Sequence, residues 1–290
     1  GKLPVSDETP PNLSFMIFSL STGETLRASF PSLRYRRVPA GSLIKLFVAL
    51  YCGIKREDLL RDYRYTCTGK NSVPETEPKR CWTPRGHGPL DLPGALRDSC
   101  NLYFASLHDK ISRKDFFDFC RDLNTRLGLN LRLPPINDNT EFSRLLSGTD
   151  FRATVSIQGL ITLARLAGPV QTAADSIERY RFGIPPASRK LLTGALYETV
   201  RSGTAAGPLH PFGPEENRRG LAGKNAEKSG GAPTAPLWGK TSTVLSGTNT
   251  CLSYGLFIGG DEERGIITLL RRGNGHTAAR WAVRLLHGPD

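Results

Sequence analysis

In the stretch PAGSLIKLFVAL, residues 39–50, a lysine follows a serine by three positions at the start of an otherwise apolar run. Leu43, Ile44, Leu46, Phe47, Val48, Ala49 and Leu50 leave no polar face, so the segment reads as a helix buried inside a domain. At i and i+3, Ser42 and Lys45 share one face of that helix. A buried ammonium is costly, and the positive end of the helix macrodipole disfavours Lys in the first turn. Both effects lower the lysine pKa, which makes Lys45 a base able to take the proton of the Ser42 hydroxyl. The same helix start offers backbone N–H groups to a developing oxyanion. The plain alternative is Ser42 as a helix cap with Lys45 reaching outward, although the Glu of a capping box is missing.

Two further stretches carry matching side chains. Ser99-Cys100-Asn101, in DLPGALRDSCNLYFASL, falls between two helical patterns. Residues at i and i+2 do not share a helix face, so Ser99 and Asn101 converge only at a bend. There Ser99 could relay a proton and Asn101 could hydrogen-bond a substrate amide; the alternative is Ser99 or Asp98 as the cap of the next helix. Lys240-Thr241-Ser242-Thr243 follows Trp238-Gly239 on a strand pattern. A strand at a cleft edge can pair with an extended peptide, add the Lys240 cation and offer hydroxyls to a carboxylate. The alternative is a solvated, Thr-rich edge strand.

The elements that must position these residues follow from the patterning. Residues 13–30 predict two strands about a reversal at Thr22-Gly23, with Phe15 and Ile17 alternating against Met16, Phe18 and Leu20. Helices are expected near 42–52, 91–97, 101–110, 113–127, 154–167 and 187–201, with loops at NSVPETEPKR and LPPINDN. Residues 202–236, rich in Gly, Pro and charge, predict a long mobile loop. Three strands follow in PLWGKTSTVL, CLSYGLFIGG and RGIITLLRR, then a closing helix across 276–287. The expected fold class is α+β: one antiparallel sheet completed by N- and C-terminal strands and flanked by helices, with a mainly helical lobe inserted. The expected organisation is a single domain over 1–290, with an α/β lobe from about 12–41 and 235–290 and a helix-rich lobe over about 42–201.

Composition excludes several classes. A chain of 290 residues with 38% hydrophobic content can bury a sizeable core. It contains no apolar run of membrane-spanning length, and GKLPVSDETPPN has neither an initiator Met nor the apolar core of a signal peptide. The net charge of +12 suits anionic partners, but the arginines are scattered and no RNA-binding or zinc-finger motif occurs, so no nucleic acid is expected. Six cysteines, at 52, 67, 81, 100, 120 and 251, form no CxxC pair, and no His stands at zinc spacing, so no metal is expected. Cys67 and Cys81 flank a polar loop that a disulfide could staple, for about 3 kcal/mol by loop-closure entropy; two free thiols are the alternative. His87, in Gly86-His87-Gly88, is expected to hold a turn rather than act as a base. The absence of GxSxG argues against an α/β-hydrolase triad.

The order SxxK, SxN, KTx, on a strand, helices, strand plan, resembles the penicillin-binding protein transpeptidase family, of penicillin-binding/β-lactamase-like fold. SLSTGETL is similar to the family's first hairpin, and YTCTG…RCWTPRGHGPLDLPGALRDSCNLYFASL to the segment entering its second motif, cysteine pair and GHG included. RLGLNLRLP, GTDFRATVSIQGLITLARLAG and LYETVRSGTAAG resemble the stretches before its third motif. The resemblance implies a peptidoglycan D,D-transpeptidase or carboxypeptidase that needs no cofactor. Ser42 would be the acylated nucleophile, Lys45 its base, Ser99 and Asn101 the second side of the cleft. Lys240, Thr241 and Thr243 would bind the terminal carboxylate of a stem peptide or β-lactam, with the N–H groups of Ser42 and Thr243 as oxyanion donors. It also implies cell-wall synthesis proteins as partners and a periplasmic or extracytoplasmic location, with a membrane anchor in the full-length protein. No deacylating residue is identifiable, which disfavours a β-lactamase. One position departs: Ser242 stands where the family carries Gly, and its hydroxymethyl is expected to crowd the cleft or tilt the strand. Thr250 to Ser253 likewise replace an aromatic-rich strand start. The alternative is therefore a catalytically impaired domain that serves as a binding or scaffolding partner.

Overall fold

The run LSFMIFS extends as β1 (Leu13–Ser19) and turns back into β2 (Thr25–Ala28), the hairpin its alternation predicts. The computed structural model describes residues 9–69, 81–169, 183–206, 237–245 and 253–287. Within it β7 (Trp238–Leu245), β8 (Ser253–Gly260) and β9 (Arg264–Arg271) run antiparallel, and β9 pairs with β1. N- and C-terminal strands thus share one five-stranded sheet, in the order β2-β1-β9-β8-β7. Both faces of β1 are used. Leu13, Phe15 and Ile17 join Phe257, Ile266 and Leu270 under Ala278, Ala279, Ala282 and Leu286 of the last helix, Gly275–His287. Met16 and Phe18 join Leu256, Ile258, Ile267 and Leu269 in the main core on the other side. A sheet covered on both faces explains why these strands read as near-continuous apolar runs.

Helix α1 (Ile44–Lys55) runs through the middle of that core, with every residue from Ile44 to Gly53 buried. It touches α2 (Glu57–Arg61), α3 (Leu92–Arg97), α5 (Arg113–Leu127), α6 (Asn139–Ser147) and α8 (Pro186–Arg201). Between α3 and α5 lies α4 (Asn101–Ser106), and α7 (Ile157–Ala167) packs against β8 and β9. Side-chain oxygens of Asp91, Ser112, Asp138 and Ser156 accept N–H bonds at the starts of α3, α5, α6 and α7.

The structure departs from the patterning at short elements. The expected helix over 154–167 starts as a strand: β6 (Thr154–Ser156) pairs with β3 (Arg37–Pro39), and Ser156 then caps α7. The helix expected over 101–110 ends at Ser106 and tightens into a 3-10 turn at Leu107–Asp109. Helices α2 and α6 and the ribbon of β4 (Tyr65–Cys67) with β5 (Gly88–Leu90) were not foreseen; they span five, nine, three and three residues, short for a periodicity to establish itself. NSVPETEPKR, and residues 207–236 of the expected long loop, lie outside the described residues.

Helix α7 is set by a close backbone approach. A Cβ built on Gly159 would stand 1.7 Å from the Leu129 carbonyl oxygen, so only glycine fits. Gly159→Ala is expected to force α7 off that carbonyl and to cost roughly 1–3 kcal/mol of stability, read as a lower urea midpoint with unchanged slope. An unshifted midpoint would show that the contact yields without cost.

Candidate active site

Ser42 sits in one 3-10 turn, Gly41–Leu43, that runs directly into α1, and no side chain caps either start. The hydroxyl is therefore not a cap. It accepts from Lys45 Nζ at 3.3 Å. Lys45 is fully buried, and its Nζ also donates to the Ser99 carbonyl at 2.8 Å, the Ser99 hydroxyl at 3.1 Å and Asn101 Oδ1 at 2.7 Å. The Phe104 ring lies beside it, its centroid 5.6 Å away. Among the described residues no carboxylate pairs with this amine. Burial lowers its pKa to about 8, against an opposing pull from the Cys100 and Cys81 thiols. Roughly a tenth of the residue is then free amine at pH 7, ready to accept a proton.

The bend that brings Ser99 and Asn101 together is real and strained. Ser99 has φ 51°, in the left-handed region that few non-glycine residues enter. That turn aims the Ser99 carbonyl and hydroxyl, and Asn101 two residues on, at the same amine. Bonds on either side hold it: Cys100 N–H to the Ala95 carbonyl at 2.9 Å and the Trp82 indole N–H to the Asp98 carbonyl at 2.9 Å. Neither Ser99 nor Asp98 caps α4; the Cys100 thiol does, accepting the Tyr103 N–H at 3.4 Å.

Among the described residues β7 is one of the two edge strands of the sheet, as a peptide-pairing strand must be. It is not a solvated edge, because Lys240, Thr241 and Ser242 are all buried. Lys240 Nζ donates to the Thr241 carbonyl at 3.0 Å. Its pKa falls well below the ordinary lysine value through burial and then the charge of Lys45, with Asp98 partly offsetting them. The hydroxyls expected to receive a carboxylate are committed within the protein. Thr241 Oγ1 shares a proton with Thr204 Oγ1 at 2.7 Å, and Thr243 Oγ1 accepts the Gly275 N–H at 2.9 Å, at the start of the closing helix, α9 (Gly275–His287). Ser242 Oγ accepts the backbone N–H of Ser42 at 2.9 Å and donates to the Ala40 carbonyl at 3.4 Å. Thr204 and Gly275 were missed in the sequence, since both contacts are long-range and leave no local pattern.

These three motifs meet in one place, Lys45 bonded to Ser99 and Asn101 and the Ser42 N–H bonded to Ser242. Residues 21–150 match the family described as "Penicillin binding protein transpeptidase domain", a stretch that holds the first two motifs. No curated protein matches the chain in sequence. Among solved structures, the chain is similar to Pseudomonas aeruginosa PBP2 in complex with WCK 5153, at 16% identity and TM-score 0.65 over 94% of this chain and 72% of that one. It is similar to the apo transpeptidase domain of Burkholderia pseudomallei penicillin-binding protein 3, at 14% identity and TM-score 0.65, over 96% and 89%. PBP2 of Helicobacter pylori, in complex with MreC, gives 15% identity and TM-score 0.65, over 94% of this chain and 60% of that one. The match over residues 21–150 is to the same family that the motifs resemble. The chain's antiparallel sheet with inserted helices is the fold of those structures.

Beside the second motif lies a group of side chains that differs from the disulfide expected at Cys67 and Cys81. Cys67 and Cys81 are not bridged; both are thiols, and with His87 and Cys100 their ligand atoms all lie within 4.8 Å of one another. Pairing of β4 with β5 sets Cys67 opposite Gly88, and the turns at Gly69 and Gly86 interlock, a Cβ on Gly86 falling 2.1 Å from the Cys67 carbonyl oxygen. Cys81 Sγ is 3.4 Å from His87 Nδ1 and 3.8 Å from Cys100 Sγ, while His87 Nε2 is buried without a hydrogen-bond partner. Hydrogen bonding with Cys100, and then His87, draws the Cys81 thiol well below its ordinary pKa. Three sulfurs and an imidazole are of the donor types that a tetrahedral, thiophilic divalent ion takes. The donors are spread from residue 67 to residue 100, so no spacing motif announces them. An ion there would clamp Cys100 and with it the bend between Ser99 and Asn101. Reduced protein titrated with Co²⁺ is expected to develop thiolate charge-transfer absorption saturating at one equivalent, lost in Cys81→Ser and Cys100→Ser. Folded, reduced protein that takes up neither Co²⁺ nor Zn²⁺ would leave the cluster as packed thiols.

Proposed function

We propose that this chain is a peptidoglycan D,D-transpeptidase-like serine acyltransferase, acylated at Ser42 by stem peptides and by β-lactams. The observation that carries this reading is the fully buried Lys45 amine, bonded to Ser42, Ser99 and Asn101 and to no carboxylate. Lys45 takes the Ser42 proton as the oxygen attacks the D-Ala carbonyl. The Ser99 hydroxyl, 3.1 Å from the same amine, passes a proton to the departing D-alanine nitrogen. Asn101 holds a substrate amide, and Lys240 with Thr241 and Thr243 receives the terminal carboxylate; Thr241 can turn its hydroxyl from Thr204, while Thr243 donates as its oxygen goes on accepting from Gly275. An amine then takes the acyl group in transpeptidation, or water in the carboxypeptidase variant.

This reading treats residues 1–290 as a single transpeptidase-like domain, in an α/β lobe and a helix-rich lobe. It assigns the chain an extracytoplasmic, periplasmic role with an anchor in the full-length protein; among the described residues no helix is long and apolar enough to cross a membrane. Cell-wall synthesis proteins are the partners it expects. The competing reading is a domain that binds such partners without turnover. One observation favours it, the Ser242 hydroxyl bonded to the Ser42 N–H.

Intact mass after incubation with a fluorescent penicillin is expected to rise by one adduct in the wild type and not in Ser42→Ala. No adduct in folded wild type would move the conclusion to the non-catalytic reading. Lys45→Met is expected to slow acylation by about 10²- to 10⁴-fold, the span of a lost general base. Because the amine is the active form, the acylation rate should climb with pH and level off above about 8. The other titratable groups near this amine are Lys240, Cys81 and Cys100. A rate independent of pH below that value would remove Lys45 as the base.

A further inference from the structure

We infer that Ser242 is a brake on acylation: its hydroxyl occupies the Ser42 backbone N–H as a stand-in for the oxyanion and must be displaced before the reaction proceeds. The inference rests on the acyl-enzyme reading of Ser42. As the Ser42 Oγ–carbon bond forms and its proton passes to Lys45, the carbonyl π pair moves onto oxygen. That negative oxygen needs N–H donors, and the nearest is the N–H of the attacking residue itself. Here that N–H is already given to Ser242 Oγ at 2.9 Å. When the tetrahedral species collapses, the carbon–nitrogen bond breaks, the pair returns to the carbonyl and the leaving nitrogen takes a proton. The brake therefore acts on the first half of the step.

The contact is built into the surrounding chain. Gly41, the residue before the nucleophile, has φ +50°, and a Cβ there would stand 2.4 Å from Ser242 Oγ and 2.7 Å from Val244 Cγ2. The space for the hydroxyl exists because Gly41 has no side chain. Ser242 is 1% exposed, so water does not compete for the bond in the resting protein. Its other partner, the Ala40 carbonyl at 3.4 Å, is distant and gives the hydroxyl little reason to leave. An alkoxide is a stronger acceptor than a neutral hydroxyl, so the transition state can displace it while the ground-state carbonyl cannot. The effect should appear in the acylation rate constant and not in binding.

The test is the time course of fluorescent-penicillin labelling over a range of concentrations, which separates the maximal acylation rate constant from the half-saturating concentration. Ser242→Gly and Ser242→Ala both free the N–H, and Ala retains the Cβ. Each is expected to raise the maximal rate constant by about tenfold or more, within the 10²–10³ that one oxyanion donor supplies, with half-saturation little changed. Ser242→Thr keeps a hydroxyl and should stay slow. Thermal denaturation establishes that each variant is folded. Equal or slower labelling of folded Gly and Ala variants overturns the brake, as does a change confined to half-saturation, which would mean simple crowding. Failure of wild type and all variants to label overturns the acyl-enzyme reading itself, a result distinct from the other two.

Discussion

Two amines, Lys45 and Lys240, are held in the interior without a carboxylate in contact with either among the described residues, and the architecture around them follows from that constraint. A buried ammonium must be hydrogen-bonded or lose its proton. Lys45 does some of each. It collects four oxygen acceptors, from Ser42, Asn101 and twice from Ser99, and its pKa falls to about 8. Those acceptors come from two chain segments, and the left-handed turn at Ser99 aims the second of them at the amine. The strain at Ser99 and the burial of Lys45 thus offset each other. Relaxing the turn would remove oxygens from a cation, and removing the cation would leave the turn without its reason.

The second lysine sharpens the balance. Lys240 lies close enough to Lys45 for the charge of one to lower the pKa of the other. Two like charges in one desolvated place cannot both be held cheaply, and the Lys45 charge accordingly adds to burial in lowering the Lys240 pKa. An anionic group entering between them would relieve that repulsion. In the proposed reaction that relief would come from the substrate carboxylate or the oxyanion. What holds the site open is the apolar mass around it: α1 is buried from Ile44 to Gly53, and the sheet is packed on both faces.

What the sequence made legible is what is local or long. The first hairpin, the buried helix after Ser42 and the three closing strands all leave periodic apolar patterns, and the structure contains each of them. The SxxK relation is legible because i and i+3 meet on any helix. The SxN relation is legible as a bend, by exclusion of a helix. Short elements such as β4, β5 and α2 carry too few residues for a period to show, and the helix expected at 154–167 concealed a strand whose partner lies more than a hundred residues earlier. The same distance hid the grouping of Cys67, Cys81, His87 and Cys100, which depends on a ribbon and two interlocked glycine turns. Spacing rules for metal ligands describe compact knuckles, and these four donors are brought together by tertiary folding.

Ser242 shows how a departure from a motif can be read only with its neighbours. Taken alone, a hydroxymethyl in place of hydrogen suggests crowding, and crowding suggests a tilted strand. The strand is not displaced from its ladder: Lys240 to Leu245 keep an unbroken antiparallel register with β8. The extra atoms go instead toward Gly41, where the left-handed turn leaves a space they fill, and the hydroxyl finds a donor there. A side chain that fits without strain and satisfies a polar hydrogen is not damage to the fold. Under the proposed acylation its consequence would lie in function, because the hydrogen it satisfies is the one that reading assigns to a developing negative charge. With Ser42 as the proposed nucleophile, local comfort in the resting protein and readiness for chemistry are opposed at this one bond to its backbone.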